Sequence, residues 1–371
     1  MKVSIITILD NVNFGTYLQA LATGLTVESL GYEAEIVHYI RPVMTPKGHS
    51  KAVFKERGFL RWLKHRNDID KILDLRNNNY NYLREFLSIT KEYFSFEELC
   101  LTPPKADIYM TGSDQVWNSF YNRGVDRSFY LDFVSSEKKR VAYAASIGMD
   151  DFPECDKVET KKLLRKYSTI TVRERKAKEL LGTIDVESEV VLDPTLLLDL
   201  SQWSAIADKH RIDIKEEYVL IYSVELKDQD KLVEKYAIEI AKRYGLKIYQ
   251  VSYSDTKKRL ACADRFFGRA TPNLFLNLMK NASYAVVSSF HGTAFAINFN
   301  KPFLTIAANK FNSRVQNLLE ITHLENRLVS ENTFSINTLE EINYDEVNEL
   351  LAIKRLSSLE CLRKMLNGDT N

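Results

Sequence analysis

Cysteine is scarce and scattered: Cys100, Cys155, Cys262 and Cys361 in a chain of 371 residues. No CxxC pair or Cys/His cluster occurs, which argues against a zinc site and a disulfide framework and fits a reducing cytosol. Glycine (13) and proline (8) are also few, and 45% of the residues are hydrophobic against 27% charged, the composition of a globular chain. An excess of one charge is missing too, since 51 Lys and Arg nearly cancel 50 Asp and Glu. Net charge therefore gives no reason to expect nucleic acid, and electrostatic steering must come from local patches. Long hydrophobic runs are absent. The longest charge-free stretch, Asn281 to Asn300, carries Asn, Ser, His and Gly in its middle and reads as a strand followed by a helix. Met1 to Leu9 is apolar but meets Asp10 and Asn11 too soon for a signal peptide, so a cytoplasmic protein is expected.

At this length two domains are the default. Val3 to Leu9 reads as a buried parallel strand and Asp10 to Gly15 as a polar loop. Leu18, Leu21, Ala22 and Leu25 then fall at helical spacing, Gly31 closes that helix, and Ile36 to Ile40 is the next strand. Apolar strands follow at Ile108 to Thr111, Val141 to Ala145, Thr169 to Val172 and Val190 to Leu192, and Asp193-Pro194-Thr195 reads as a crossover. A second block has strands at Tyr218 to Ser223, Ile248 to Tyr253, Tyr284 to Val287 and Phe303 to Ile306. The expected architecture is α/β: two Rossmann-like, doubly wound domains over 1–192 and 193–342, facing a central cleft. A basic helical insertion is expected at about 42–95, and 343–371 reads as a C-terminal amphipathic helix.

In doubly wound sheets ligands bind beyond the carboxyl ends of the strands, which singles out three polar turns. The first holds Asn13 and Gly15, with Gln19 one turn into the helix. It is either a backbone cradle for a ligand or an ordinary loop with an Asn cap. The second is Thr111 to Asn118, where Ser113, Asp114, Gln115, Trp117 and Asn118 suit a polyol: an aromatic face beside amide and carboxyl groups. Capping by Gly, Ser and Asp is the plainer alternative. The third runs Ser288-Ser289-Phe290-His291-Gly292-Thr293. A histidine followed by glycine at a strand end, with a helix starting at once, places a titratable ring where N–H groups and the helix dipole attract an anion. Arg173, just past a strand end, and Arg314, opening another helix, are suited to clamp a carboxylate or phosphate, whereas Arg175 reads as a surface salt bridge.

Taken together, NFGTYLQAL, GSDQVWN, AYAASIG, TVRER, VLDPT, SSFHGTAFAINFNKPF and NSR resemble the polysaccharide pyruvyltransferase family, in family order from about residue 3 to residue 320. Each piece is weak alone; the ordered set is specific. The resemblance implies a fold like the two-domain GT-B architecture. It implies transfer of pyruvate from phosphoenolpyruvate to sugar hydroxyls of a surface or capsular polysaccharide precursor, forming a cyclic ketal. It places phosphoenolpyruvate, a co-substrate rather than a cofactor, on His291-Gly292 and Arg173; Ser289 and Thr293 of the same turn are further candidate binding residues. His291 is then the expected acid and Asp114 the expected base, with no metal required. Some members carry an arginine where this chain has Ser289; Arg314, Lys301 or the helix N-terminus would take its place.

Between Arg41 and Arg66 stand eight basic residues and one acid, Glu56, interleaved with Phe54, Phe59, Leu60, Trp62 and Leu63. This is either an insertion packing its apolar side on the domain, or a peripheral contact with the inner face of the membrane, meeting an undecaprenyl-diphosphate-linked saccharide. Two other functions fit the same architecture: a GT-B glycosyltransferase using a nucleotide sugar, and a non-catalytic saccharide- or anion-binding protein.

Overall fold

A computed structural model describes residues 1–48, 71–224, 227–254, 259–307, 313–330, 335–336 and 340–368. Among these, thirteen strands form two parallel sheets. The first contains β1 (Lys2–Ile6), β2 (Glu33–Tyr39), β3 (Ser88–Tyr93), β4 (Ile108–Thr111), β5 (Lys139–Ala145), β6 (Thr169–Val172) and β7 (Glu189–Val190). Their order is β3-β2-β1-β4-β5-β6-β7. The second contains β8 (Tyr218–Tyr222), β9 (Lys247–Val251), β10 (Arg265–Phe267), β11 (Tyr284–Val287), β12 (Phe303–Ile306) and β13 (Leu328–Val329), in the order β10-β9-β8-β11-β12-β13. Both orders run outward, return to the first strand and continue on its other side. Each sheet therefore has a topological switch point, between β1 and β4 in one and between β8 and β11 in the other, where the loops at the carboxyl ends diverge and leave a crevice.

The strands are apolar because helices cover both faces of the sheets. Ile6, Ile8, Trp117, Val172 and Leu181 belong to one core, and Val219, Ile221, Tyr236, Val286 and Leu304 to another. The two compact units are residues 1–194 with 357–371, and 195–356. The final helix, Tyr344–Asn367, begins in the second unit and ends in the first, where Ser358 Oγ accepts a hydrogen bond from Leu192 N (3.1 Å).

Two expectations need correction in the first unit. The stretch 42–95 is not a purely helical insertion, because its end is β3, paired in parallel with β2. Arg41 does not belong to a basic surface: its guanidinium is buried against Asp10. Lys47 is exposed, and the remaining basic residues of that stretch lie outside the described residues. Among the described residues, no helix is long and apolar enough to cross a membrane.

His38 in β2 gives the first unit a pH-dependent stability. Its side chain is 2% exposed and lies against the Tyr80 ring, with centroids 3.5 Å apart. Burial, followed by the nearby charges of Arg84 and Arg76, pushes its pKa down to about 3. The folded state thus holds a neutral imidazole, while the unfolded chain takes up a proton near 6.5. The stabilisation is complete above that value and is lost as pH falls from there towards 3. Between pH 7.5 and pH 5 the wild type should lose about 2 kcal/mol that His38→Gln does not lose, measured by urea denaturation at both pH values. Equal losses in the two proteins would refute this.

Candidate active site

The carboxyl edge of the first sheet gathers polar groups from five strand ends. After β1, Asn13 caps the helix Phe14–Ser29 by accepting from Gly15 N (2.9 Å). The Asn cap expected as one reading of this turn is present. Gln19 is fully buried and donates to Thr7 Oγ1 and Thr16 O (2.9 Å each), while Thr7 Oγ1 donates to Ser113 O (2.6 Å). The turns after β1 and β4 are thereby pinned together at the switch point. Gly112 permits this approach, since a Cβ there would stand 3.2 Å from Thr7 Cβ and 3.3 Å from an Ile5 methyl.

Asp114 follows with φ +75°, a conformation uncommon for a residue with a side chain. Such strain persists where the surroundings over-determine it. Here Asp114 O accepts from Val116 N (2.8 Å) and Ser146 N (2.9 Å), and its carboxylate accepts from Gln115 N (2.9 Å) and Thr16 Oγ1 (3.2 Å). Asn118 donates to Gln115 Oε1 (2.9 Å) and Gly148 O (3.1 Å) while capping the short helix Ser119–Asn122.

Trp117 departs from expectation. It is 1% exposed, stacks on Tyr130 at 5.7 Å, and donates its indole N–H to Phe129 O (3.2 Å). A ring covered in this way offers no face to a sugar, so the aromatic of the second turn is core. Trp117→Phe should cost about 2 kcal/mol of stability and leave the acceptor KM unchanged. A rise in acceptor KM at unchanged stability would restore the sugar-platform role.

Arg173, immediately after β6, lies among three carboxylates. Its Nη1 is 2.8 Å from Asp193 Oδ2, Nε is 3.6 Å from Glu174 and Nη2 is 3.8 Å from Asp114. Burial opposes its charge, but Asp193, Glu174 and Asp114 outweigh that and raise its pKa above the ordinary arginine value. Ser146 Oγ donates to Glu174 (2.8 Å) and Ser113 Oγ to Asp193 (3.0 Å). The Asp114 side chain is 12% exposed, against 2% for Arg173, 3% for Glu174 and 0% for Asp193. Asp114 is thus the member of the cluster that reaches solvent. Ser113, by contrast, is fully buried and serves Asp193.

In the second unit, Ser288 Oγ accepts from Val224 N and donates to Ser223 Oγ (3.2 Å each), tying the ends of β8 and β11 at their switch point. Ser289 caps the helix Phe290–Asn298, its Oγ accepting from Gly292 N (3.1 Å). His291 sits in the first turn of that helix, 8% exposed, its ring edge-on to Phe290 at 5.2 Å. Gly292 stands where there is little room for a side chain. A Cβ there would meet Val287 Cβ at 2.9 Å, Ser289 Oγ at 3.0 Å and Tyr222 Cδ1 at 3.1 Å, so the residue backs tightly onto its surroundings. Thr293 is likewise internal, its hydroxyl shared with Ser289 O (3.0 Å) and Thr305 Oγ1 (2.9 Å).

Of the two cationic side chains offered in place of an arginine at Ser289, Lys301 is misplaced. It precedes β12, whereas His291 follows β11, and the two strands are parallel, so the residues belong to opposite edges of the sheet. Arg314 is half-buried in the first turn of the helix Ser313–Ile321. The structure brings Thr16, Ser113, Asp114 and Arg173 together in the first unit and Ser289 to Thr293 in the second. Thr7, Thr16, Ser146, Glu174 and Asp193 are members that sequence reasoning passed over. For Asp193 the available signal was an acid at a strand end, overshadowed by the proline after it.

Two parallel α/β units with these strand orders define the GT-B-like class of enzyme fold. Solved structures of the same form include the UDP-GlcNAc 2-epimerase of Methanocaldococcus jannaschii (TM-score 0.52, 15% identity, 96% of this chain and 93% of that one). A trehalose-6-phosphate synthase is similar (TM-score 0.51, 9% identity, all of both chains). So is the UDP-GlcNAc 2-epimerase of Neisseria meningitidis bound to UDP-GlcNAc (TM-score 0.50, 13% identity, 97% and 93%). At these identities the likeness concerns the fold alone. No curated protein sequence gives a significant match. Residues 13–309 match the family described as polysaccharide pyruvyl transferase, and the chain belongs to that family: it is a pyruvyltransferase.

Proposed function

We propose that the protein transfers pyruvate from phosphoenolpyruvate to two hydroxyls of a saccharide, closing a cyclic ketal and releasing phosphate. The observation that carries this reading is the placement of His291. A titratable ring lies within the family-matched segment, in the first turn of a capped helix, beyond a strand end at a switch point. Helix N–H groups there favour an anion such as a phosphate or carboxylate.

The chemistry follows from the donor. Protonation of C3 turns the methylene into a methyl and leaves an oxocarbenium-like centre at C2; His291 supplies that proton. A sugar hydroxyl attacks C2 and gives its proton to Asp114, the solvent-reaching carboxylate of the first unit. A second hydroxyl displaces phosphate and closes the ring. Two hydroxyl protons are lost, one balancing the proton delivered to C3 and the other leaving with phosphate. Arg173 takes the carboxylate or phosphate of the donor, and Arg314 is a further cation for it. No metal or cofactor enters this scheme. The acceptor is a lipid-linked precursor of a surface polysaccharide, met at the cytoplasmic face of the membrane.

The test is phosphate release from phosphoenolpyruvate against a panel of lipid-linked and aryl glycosides, with mass analysis of the products. A product heavier by one pyruvate ketal is expected. Binding of a nucleotide diphosphate sugar with glycosyl transfer, or binding without turnover, would overturn the proposal.

A further inference from the structure

We infer that Asp193 is a positioning residue for the reaction, setting the orientation of Arg173 through a contact that Ser113 steadies. The inference rests on the proposal that Arg173 receives the carboxylate or phosphate of phosphoenolpyruvate.

Of the three acids around Arg173, Asp193 alone comes within hydrogen-bond distance, at 2.8 Å, while Glu174 and Asp114 stand at 3.6 and 3.8 Å. Its side chain is wholly buried, and the same oxygen, Oδ2, accepts from Ser113 Oγ at 3.0 Å. A buried, charge-assisted contact with a second donor on the acceptor holds a planar guanidinium far more narrowly than a solvated pair does. The backbone supports the carboxylate as well. Pro194 follows and disfavours helical geometry at residue 193, and Val191 N is tied to Val172 O of β6 (3.0 Å). Residues 191–193 therefore run beside the strand that delivers Arg173.

Among the described residues Asp193, Glu174 and Asp114 face the Arg173 guanidinium, and of the three Asp114 is the one that reaches solvent. Asp193 engages Nη1, while the more distant acids stand near Nε and Nη2. A donor anion approaching Arg173 meets a fork whose plane is already fixed, so less rotational freedom is lost on binding.

Two variants separate positioning from simple charge balance. Asp193→Asn removes the charge and retains an acceptor; Ser113→Ala leaves the charge untouched and removes only the hydroxyl that steadies it. The phosphoenolpyruvate KM should rise roughly tenfold in Asp193→Asn and roughly threefold in Ser113→Ala, with kcat per folded molecule and acceptor KM near wild type. If both variants keep the wild-type donor KM and only Tm falls, Asp193 is structural and the inference fails. Should Asp193→Asn not fold, an unchanged donor KM in Ser113→Ala overturns the inference and a raised one supports it. The wild-type control separates the proposed function from the role of Asp193. Absence of both phosphate release and thermal protection by phosphoenolpyruvate overturns the proposed function and this inference with it. Turnover with unchanged variant KM values overturns the inference alone.

Discussion

His291→Ala should lower kcat for phosphate release from phosphoenolpyruvate by about 10²–10⁴-fold, the range over which positioned acid catalysis acts. Thermal protection by phosphoenolpyruvate should largely remain. The reason for that split lies in how the turn is built. Ser289 caps the helix, Gly292 fits against Val287 and Tyr222, and Thr293 bonds Ser289 O and Thr305. None of these contacts uses the imidazole, so the N-terminal N–H groups that attract an anion survive its removal. What disappears is the proton for C3, without which C2 is not electrophilic. The step also has its own readout: in D2O the wild type should place one deuterium in the transferred methyl group. An alanine variant that turns over at the wild-type rate, or a wild-type product whose methyl carries no solvent deuterium, would remove His291 as the acid.

The legible parts of the fold are those where burial is uniform. Ile108–Thr111, Tyr284–Val287 and Phe303–Ile306 are short runs in which every residue is buried, and their apolar content bounds them to the residue. The edge strand Ser88–Tyr93 escapes notice because only Tyr93 is buried and the rest reads Ser-Ile-Thr-Lys-Glu. Site location is legible by the same logic, since polar turns at strand ends stand out against apolar strands. The direction in which each polar group faces is not. Asn13, Ser289 and Asn118 are polar because helices begin there. Trp117 and Thr293 face inward, a property of packing that no local pattern encodes. Glu174 and Asp193 acquire meaning only through Arg173, Ser113 and Ser146, and the Ser113–Asp193 pair is separated by 80 residues. The resemblance to the family works around this gap by naming Arg173 and His291, but it is silent about what holds them.

Arg41→Ala should destabilise the protein by about 3–5 kcal/mol, the cost of leaving a buried charge without its partner. Arg41 Nε and Nη2 each lie 2.7 Å from an Asp10 oxygen, its backbone N–H adds a third bond to Asp10 at 3.0 Å, and Nη1 reaches Asn122 Oδ1 at 2.7 Å. Side-chain exposure is 8% for Arg41 and 1% for Asp10, so solvent cannot replace the guanidinium. Burial opposes the Arg41 charge, and Asp10 more than offsets this, raising its pKa. Such a pair is costly to break but not intrinsically stabilising relative to apolar groups of similar volume. Asp10→Leu combined with Arg41→Met should therefore recover most of what Arg41→Ala loses, as read from urea midpoints. The pair joins the loops after β1 and β2, and the former leads into Thr16, which bonds Asp114. The double variant should accordingly regain stability while showing a lower kcat than wild type, because the pair also registers the turn that steadies the proposed base. If Arg41→Ala unfolds at the wild-type urea concentration, the buried pair does not carry this part of the fold. If the double variant regains both stability and full turnover, the link from Asp10 to Asp114 is not used.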